Sequence, residues 1–458
     1  MHFGKSYGTT SEKYHGFVCF LVLVVVSHVI FLTEAESDTT SINHFIRHRT
    51  LQSVPSLVYD IQTGVSSSSP STLTVFKQKL YFVADDGSTG KELWQYDGTN
   101  NPSIVYDISN GVTGSNPGSF GVYKDKLYFF ARDVDGLHFW EYSGSGKPSI
   151  VSTSFNFNTV DEVLPVYNDK LYFSADGGLW QYDGTNPPIV IGNNKNINPS
   201  LLTVFKDKLY FRGVDATGAI KMLQYDGSSV SVPFEIMTGG GESDPTDLIV
   251  FNNKLHFKAF DGSEYALWTW DGAGAKAKVP DIPLSVLIYS DYKWVVFNQN
   301  LIMQAGGAFT ELWKYDGSTT PSQVTFAGTN PHYFAEYFGK LYFQAKDVNG
   351  DLELWAYDGT NQPTRVADIS AGKSSAPKFL TVFNSKLYFA ADNGINGEEL
   401  MVYSLPVPTA PPTSPPTSPP TSSPTSPPNT GGCRFAAILS WVNTIVASTY
   451  SSFYGQFN

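Results

Sequence analysis

A short motif recurs along most of this chain and limits what it can fold into. Lys-Leu-Tyr-Phe starts at Lys79, Lys126, Lys170 and Lys208, recurs as Lys254-Leu255-His256-Phe257, degenerates at Asn300-Leu301-Ile302-Met303, and returns at Lys340 and Lys386. A second motif, Trp-x-Tyr-Asp-Gly with small variations, follows at Trp94, Trp140, Trp180, Trp268, Trp313 and Trp355, with Leu223 and Met401 in the Trp place of the other two units. A third, resembling Pro-Ser-Ile-Val-Tyr-Asp-Ile, closes most units, and one copy, Pro55 to Ile61, precedes them all. Apolar runs such as Leu202-Thr203-Val204-Phe205 lead into the first motif across a polar turn, which reads as a tight hairpin. Eight units spaced 38 to 47 residues apart, each with four short strands and one Trp position, spell β-propeller blades. A four-stranded sheet cannot bury both faces alone, and Trp suits the seam between stacked blades, with a large apolar area and one N–H to satisfy.

The phase of the repeat supports a closed ring. The last unit stops after Leu400-Met401-Val402-Tyr403, one strand short, while the chain begins with one fourth strand in excess. The N-terminal strand therefore completes the last blade, giving an all-β, eight-bladed propeller without exposed ends. A solenoid would need capping units instead, and none is legible. The unit at 276–317 departs most from the pattern, with Tyr289, Tyr292 and Trp294 in place of the usual first-strand run; without it the count would be seven. Aromatic residues at 15%, charged residues at 16% and 40 Gly fit this class.

Around the propeller (54–405) the chain divides by composition. Gly16 to Leu32 is uncharged and mostly apolar, follows Lys5 and Lys13, and is followed by Thr33-Glu34-Ala35, so residues 1–35 read as a cleaved secretory signal, with an uncleaved signal-anchor as the alternative. Residues 36–53 form a flexible leader, and the Pro/Thr/Ser array of 406–432 a stiff disordered stalk. In 433–458, Phe435, Ile438, Leu439, Val442, Ile445 and Val446 fall near helical spacing, as in a weak amphipathic or membrane-associated helix. The two cysteines, Cys19 and Cys433, lie outside the repeat, so its core has no disulfide. A secreted, cell-surface or cell-wall protein is expected. The net charge of −12 argues against nucleic acid and leaves divalent cations or basic partners open.

Strand alternation puts the first-to-second and third-to-fourth turns on one face, where they are short. The second-to-third and blade-to-blade loops share the other face and are long, and such loops on a rigid scaffold are where binding is expected. They are acidic and Gly-rich: Asp85, Asp86, Asp133, Asp135, Asp347, Asn349, Asp351 and Asp392 are the candidate ligand-binding residues. Their oxygens would suit Ca²⁺; Asp, Asn and Gly also supply ordinary turn chemistry. No other cofactor is called for.

Glu92-Leu93-Trp94-Gln95-Tyr96-Asp97-Gly98-Thr99, with Glu311 to Gly317 and Glu353 to Thr360, resembles the Glu-Leu-Trp-x-x-Asp-Gly-Thr repeat family, a hyalin- or kelch-like group of secreted and surface propellers. That resemblance covers about Val54 to Leu405 and implies fold and location, not a reaction. Ala84-x-Asp86-x-x-Thr89-Gly90-Lys91-x-x-Trp94 is similar to the tryptophan-docking motif of eight-bladed quinoprotein dehydrogenases, where it locks blades together. Only the first unit carries it in full, and the adjacent cysteines of those enzymes are missing.

Within the repeat His138, His256 and His332 lie in different units without metal-ligand spacing, and His256 stands where Tyr usually stands. No nucleophile elbow, zinc-protease helix or phosphate loop is legible. The leading expectation is a non-enzymatic binding or adhesion propeller for an extracellular glycan or protein. The alternative is a secreted carbohydrate-active hydrolase or lyase, or a quinoprotein, with carboxylates converging at the central channel. Membrane association would run through the C-terminal tail.

Overall fold

The computed structural model describes residues 53–405, apart from 112, 154, 156–163, 193–195, 238, 240, 275, 281, 283–293, 307–309 and 326–327. The signal, nearly all of the leader, the stalk, the tail, and Tyr289 and Tyr292 lie outside the described residues.

Eight four-stranded antiparallel sheets form a ring of blades. Blades 1 to 7 span 71–106, 118–152, 166–190, 200–231, 246–279, 295–323 and 332–367, and in each the strand order follows the chain. Blade 8 joins 378–403 to the N-terminal strand Ser56–Tyr59, which pairs antiparallel with Glu398–Tyr403 at Ser56↔Val402 and Leu57↔Met401. The ring is closed by that strand, as the phase of the repeat requires. The degenerate unit makes a full blade 6: Val295–Phe297, Asn300–Ala305, Glu311–Tyr315 and Ser322–Gln323. Its drift keeps the pattern, because Leu301 and Met303 remain fully buried.

First strands of neighbouring blades contact one another, which places them nearest the axis. Second strands are apolar without alternation because a blade covers each face. In blade 1, Leu80, Phe82, Ala84 and Trp94 meet Phe383, Tyr388 and Leu400 of blade 8, while Tyr81, Val83 and Leu93 meet Phe120, Leu127, Phe129 and Trp140 of blade 2. Aromatic pairs repeat at the seams: Tyr81–Tyr142 at 5.8 Å, Tyr128–Tyr182 at 5.5 Å, Tyr342–Tyr403 at 5.6 Å and Tyr388–Tyr96 at 5.8 Å between centroids. Where the repeat changes residue, the contact persists, as Tyr210–Trp270 at 5.6 Å and His256–Tyr315 at 6.0 Å. Burial pushes the His256 imidazole down to about 4, so it packs here as a neutral ring.

The short-turn face is held by two devices. Both central residues of the first-to-second turns have positive φ, as at Lys77 (43°) and Gln78 (59°), the geometry that matches strand twist in two-residue hairpins. In the Asp-Gly-Thr turns, Asp97 Oδ1 accepts from the Thr99 and Asn100 backbone N–H and the Thr99 hydroxyl. Gly98 has φ +91°, and a Cβ there would stand 2.8 Å from Asn384 Nδ2 of blade 8. That close approach is a latch between blades: Lys77 Nζ donates to the Ser143 carbonyl, Lys124 Nζ to that of Asp183, and Asn298 Nδ2 to that of Asp358.

Candidate functional site

On the opposite, long-loop face the polar groups that recur from unit to unit have structural partners. The indoles of Trp94, Trp140, Trp180, Trp268 and Trp355 pack in seams and donate their N–H to the carbonyls of Ala84, Ala131, Ala175, Ala259 and Ala345 on the adjacent strand. Trp313 is also in a seam but donates to Glu311 Oε2 at 3.3 Å.

The Glu two residues before Trp is a loop clamp. Glu92 is fully buried and accepts from Ser115 Oγ (2.5 Å), Ser115 N (2.8 Å), Ser109 Oγ (2.9 Å) and Ile108 N (3.3 Å), fastening the loop that leads to blade 2. The same loop reaches the next blade, where Arg132 N donates to the Ser115 carbonyl. Glu353 repeats the arrangement with Ser375 and Ile369 N, and Glu399 with Ser68, Ile61 N and Gln62 N. Burial pushes all three carboxyls up against the opposing pull of their hydrogen bonds.

In blades 2 to 6 the same register position holds His138, Gly178, Lys221, Ala266 and Glu311. His138 Nε2 lies 2.9 Å from Asp133 Oδ1. The buried Lys221 ammonium pairs with Asp215 at 2.9 Å and Glu235 at 3.0 Å.

The sequence-derived loop residues occupy second-to-third turns of four blades. Asp85 and Asp86 are in blade 1, Asp133 and Asp135 in blade 2, Asp347, Asn349 and Asp351 in blade 7, and Asp392 in blade 8. Five are turn caps. Asp85 Oδ1 accepts from Gly87 N, and Asp392 Oδ1 from Gly394 N. Asp86 Oδ1 accepts from the backbone N–H and hydroxyl of both Ser88 and Thr89, which outweighs slight burial and lowers its pKa. Asp133 Oδ1 accepts from Asp135 N and Gly136 N; Asp347 Oδ1 accepts from Asn349 N and Asp351 N, while its Oδ2 meets Arg365 Nη1 at 3.1 Å. Asp135, Asn349 and Asp351 thus serve these caps through the backbone. Among the described residues no group of three or more His, Cys, Asp or Glu could hold a metal ion.

A different cluster, absent from the loop residues read from the sequence, lies at the loop end of blades 4 and 5, around the start of the first strand of blade 5. Arg212 Nε meets Asp244 Oδ1 at 2.7 Å, Tyr265 donates to Asp244 Oδ2 at 3.1 Å, and Lys258 Nζ stands 5.2 Å from the centre of the Tyr265 ring. Thr246 Oγ1 donates to Asp247 Oδ2 at 2.8 Å, and Asp247 has φ +57° within a bulge of the first strand between Thr246 and Ile249. Burial raises the Asp247 carboxyl, with Lys258 and the Thr246 hydroxyl opposing, and lowers the Lys258 ammonium, with Asp247 and Asp244 opposing. Asp247 is only half-buried by exposure, so it is crowded by protein yet reached by solvent. The signal for this cluster was the residue after Lys-Leu-Tyr-Phe. It is Val83, Phe130, Ser174 and Ala390 in blades 1, 2, 3 and 8, but Arg212, Lys258, Gln304 and Gln344 in blades 4 to 7.

No family model matches the chain, and no curated protein does. Among solved structures it is similar to the computationally designed Ika8 protein, at 16% identity over 74% of this chain and 97% of that one, with a TM-score of 0.49. It is similar to BamB from Moraxella catarrhalis, at 13% identity over 77% of this chain and 98% of that one, with a TM-score of 0.47. It is also similar to the BP39L lectin from Burkholderia pseudomallei, at 13% identity over 69% and 99%, with a TM-score of 0.41. The propeller assignment rests on the sheet order and ring closure, and no role is carried over from these proteins.

Proposed function

We propose that this protein is an extracellular, non-enzymatic binding or adhesion propeller, a secreted relative of the Glu-Leu-Trp-x-x-Asp-Gly-Thr repeat group, which presents its long-loop face to a glycan or protein ligand. The observation that carries the reading is the division of labour among polar side chains. The motif residues are occupied in clamps, caps and seams, which makes the repeat a scaffold; a charged cluster that breaks the repeat stands at the loop end of blades 4 and 5. Function placed on loops of a rigid frame fits that division. In this reading 406–432 spaces the propeller from a wall or membrane surface.

The test is a glycan and protein array probed with the secreted protein, with and without Ca²⁺. Retention of one ligand class is expected. Silence on every array together with hydrolysis of a polysaccharide would overturn the proposal. That second reading, a carbohydrate-active hydrolase or lyase, draws on Asp247 and Lys258, an adjoining acid and base each displaced toward its neutral form.

A further inference from the structure

The residue that follows Lys-Leu-Tyr-Phe faces the next blade near the loop end of the seam, and an apolar side chain suffices there: Val83 is 2% exposed and Ala390 fully buried. Blades 4 and 5 instead carry Arg212 and Lys258, the latter 6% exposed. Taking a charge out of water is costly even when paired, and apolar residues of similar volume usually stabilise as well or better. Folding alone gives no reason for charges at places where the same chain uses Val and Ala.

We propose that the loop end of blades 4 and 5 is a saccharide subsite, in which Arg212, Asp244, Asp247, Lys258 and Tyr265 bind the hydroxyl groups of a neutral sugar. The proposal rests on the binding reading above and names its ligand class. The mixture of charges selects that class. Arg212 and Lys258 stand among Asp244, Asp247 and, beside Tyr265, Glu242, so an acidic sugar meets an excess of carboxylates, whereas a sugar hydroxyl, which both donates and accepts, finds both kinds of partner. The guanidinium and carboxylate are held to each other and to the Tyr265 hydroxyl before any ligand arrives, which limits the ordering cost of binding.

The departure from apolar residues at this position extends over two further blades. Gln304 occupies the register position of Lys258 one blade further round. It is 7% exposed, and neither Nε2 nor Oε1 has a hydrogen-bond partner among the described residues. Gln344, at the same place in blade 7, uses its Nε2 on the Pro377 carbonyl. Charged or amide side chains thus fill this register position in four consecutive blades, 4 to 7, and apolar or small ones in the other four.

The test uses replacements that other blades already carry at the same positions. In R212V/D244N the new residues are those of Val83 and Asn116; in K258V/D247S they are those of Val83 and Ser119. Each removes a cation and an anion together, so no orphan charge is left. Full-length secreted protein is screened on an array of neutral and acidic oligosaccharides, and the best neutral ligand is titrated by calorimetry. Each double variant should bind at least tenfold more weakly with an unchanged or higher melting temperature, while V348S, in an exposed turn of blade 7, binds as wild type. Should a double variant fail to fold, Y265F, which removes only the hydroxyl that donates to Asp244, supplies the readout, with the fold retained and neutral-sugar binding weakened. Neutral-sugar binding unchanged in these variants overturns the subsite and leaves the binding function standing. Binding only of acidic glycans or proteins overturns the ligand class. Binding of nothing overturns both this proposal and the reading it rests on.

Discussion

Blades 7, 8 and 1 and blades 4, 5 and 6 solve the same packing problem in different ways. In the first arc a buried Glu ties each outgoing loop with hydrogen bonds from one or two serines and from the backbone. In the second arc that place holds Lys221, Ala266 and Glu311, the last a half-buried Glu that accepts from the Trp313 indole instead. Lys221 shows what the site requires: the sign of charge has reversed, yet Asp215 and Glu235 satisfy it. The requirement is a satisfied polar group or none, since a buried unsatisfied one is what destabilises. The clamps flank the closure between the N-terminal strand and the last blade. There a loosened loop would free a chain end, whereas elsewhere both neighbours hold the blade covalently.

The largest effect is expected where clamp and closure coincide. E399A strands the Ser68 hydroxyl and the N–H groups of Ile61, Gln62 and Ser68, and should cost on the order of 3 kcal/mol in urea unfolding. Limited proteolysis should then cut first near residues 60–70. A loss below ~1 kcal/mol would mean the clamp is incidental, and the contrast between arcs would fall.

Exchanging the interiors of the arcs comes next. V83K places an unpaired ammonium in the seam of blades 1 and 2 and should cost about 2–3 kcal/mol. K258V/D247S should be neutral or stabilising by about 1 kcal/mol. Equal losses in both would show that the charges of blade 5 are structural.

The seam tryptophans give a smaller contrast. Trp94 is 7% exposed and bonded to the Ala84 carbonyl, so W94F should cost about 1–2 kcal/mol by chemical denaturation. W313F, whose N–H reaches only the half-buried Glu311 at 3.3 Å, should cost less.

The same contrast explains what the sequence made legible. Propeller class, blade count and closure are carried by repeated apolar positions, and these survive even where Asn300-Leu301-Ile302-Met303 replaces the motif. The loop carboxylates were conspicuous because they repeat, and they repeat because turns need caps: Asp86 and Asp347 bond mainly to their own turns. Arg212 and Lys258 were inconspicuous because each appears once and is 46 residues from the other in the chain. Only the strand register brings both to the same level of adjacent seams. A repeat displays its scaffold in sequence; departures from the repeat acquire meaning only when blades are superposed.

The smallest effect separates two classes of carboxylate by pH. Hydrogen bonds from neighbouring turn residues hold the exposed Asp183, Asp316 and Asp358 at about 2 in the folded state, against 3.8 when unperturbed. Their folded values are depressed, so the stability they lend is present above about pH 4 and is lost as pH falls toward 2. Glu92, Glu353 and Glu399 run the other way: burial raises them above 4.5, so the folded state takes up protons first and stability rises as pH falls toward 4.5. The melting temperature should therefore climb slightly on acidification to about 4.5 and decline below about 4. In E92Q/E353Q/E399Q the climb should vanish while the decline remains, because the Asp-Gly-Thr turns are untouched. A decline that disappeared with the three glutamates would place acid sensitivity in the clamps and reverse the assignment of the two classes.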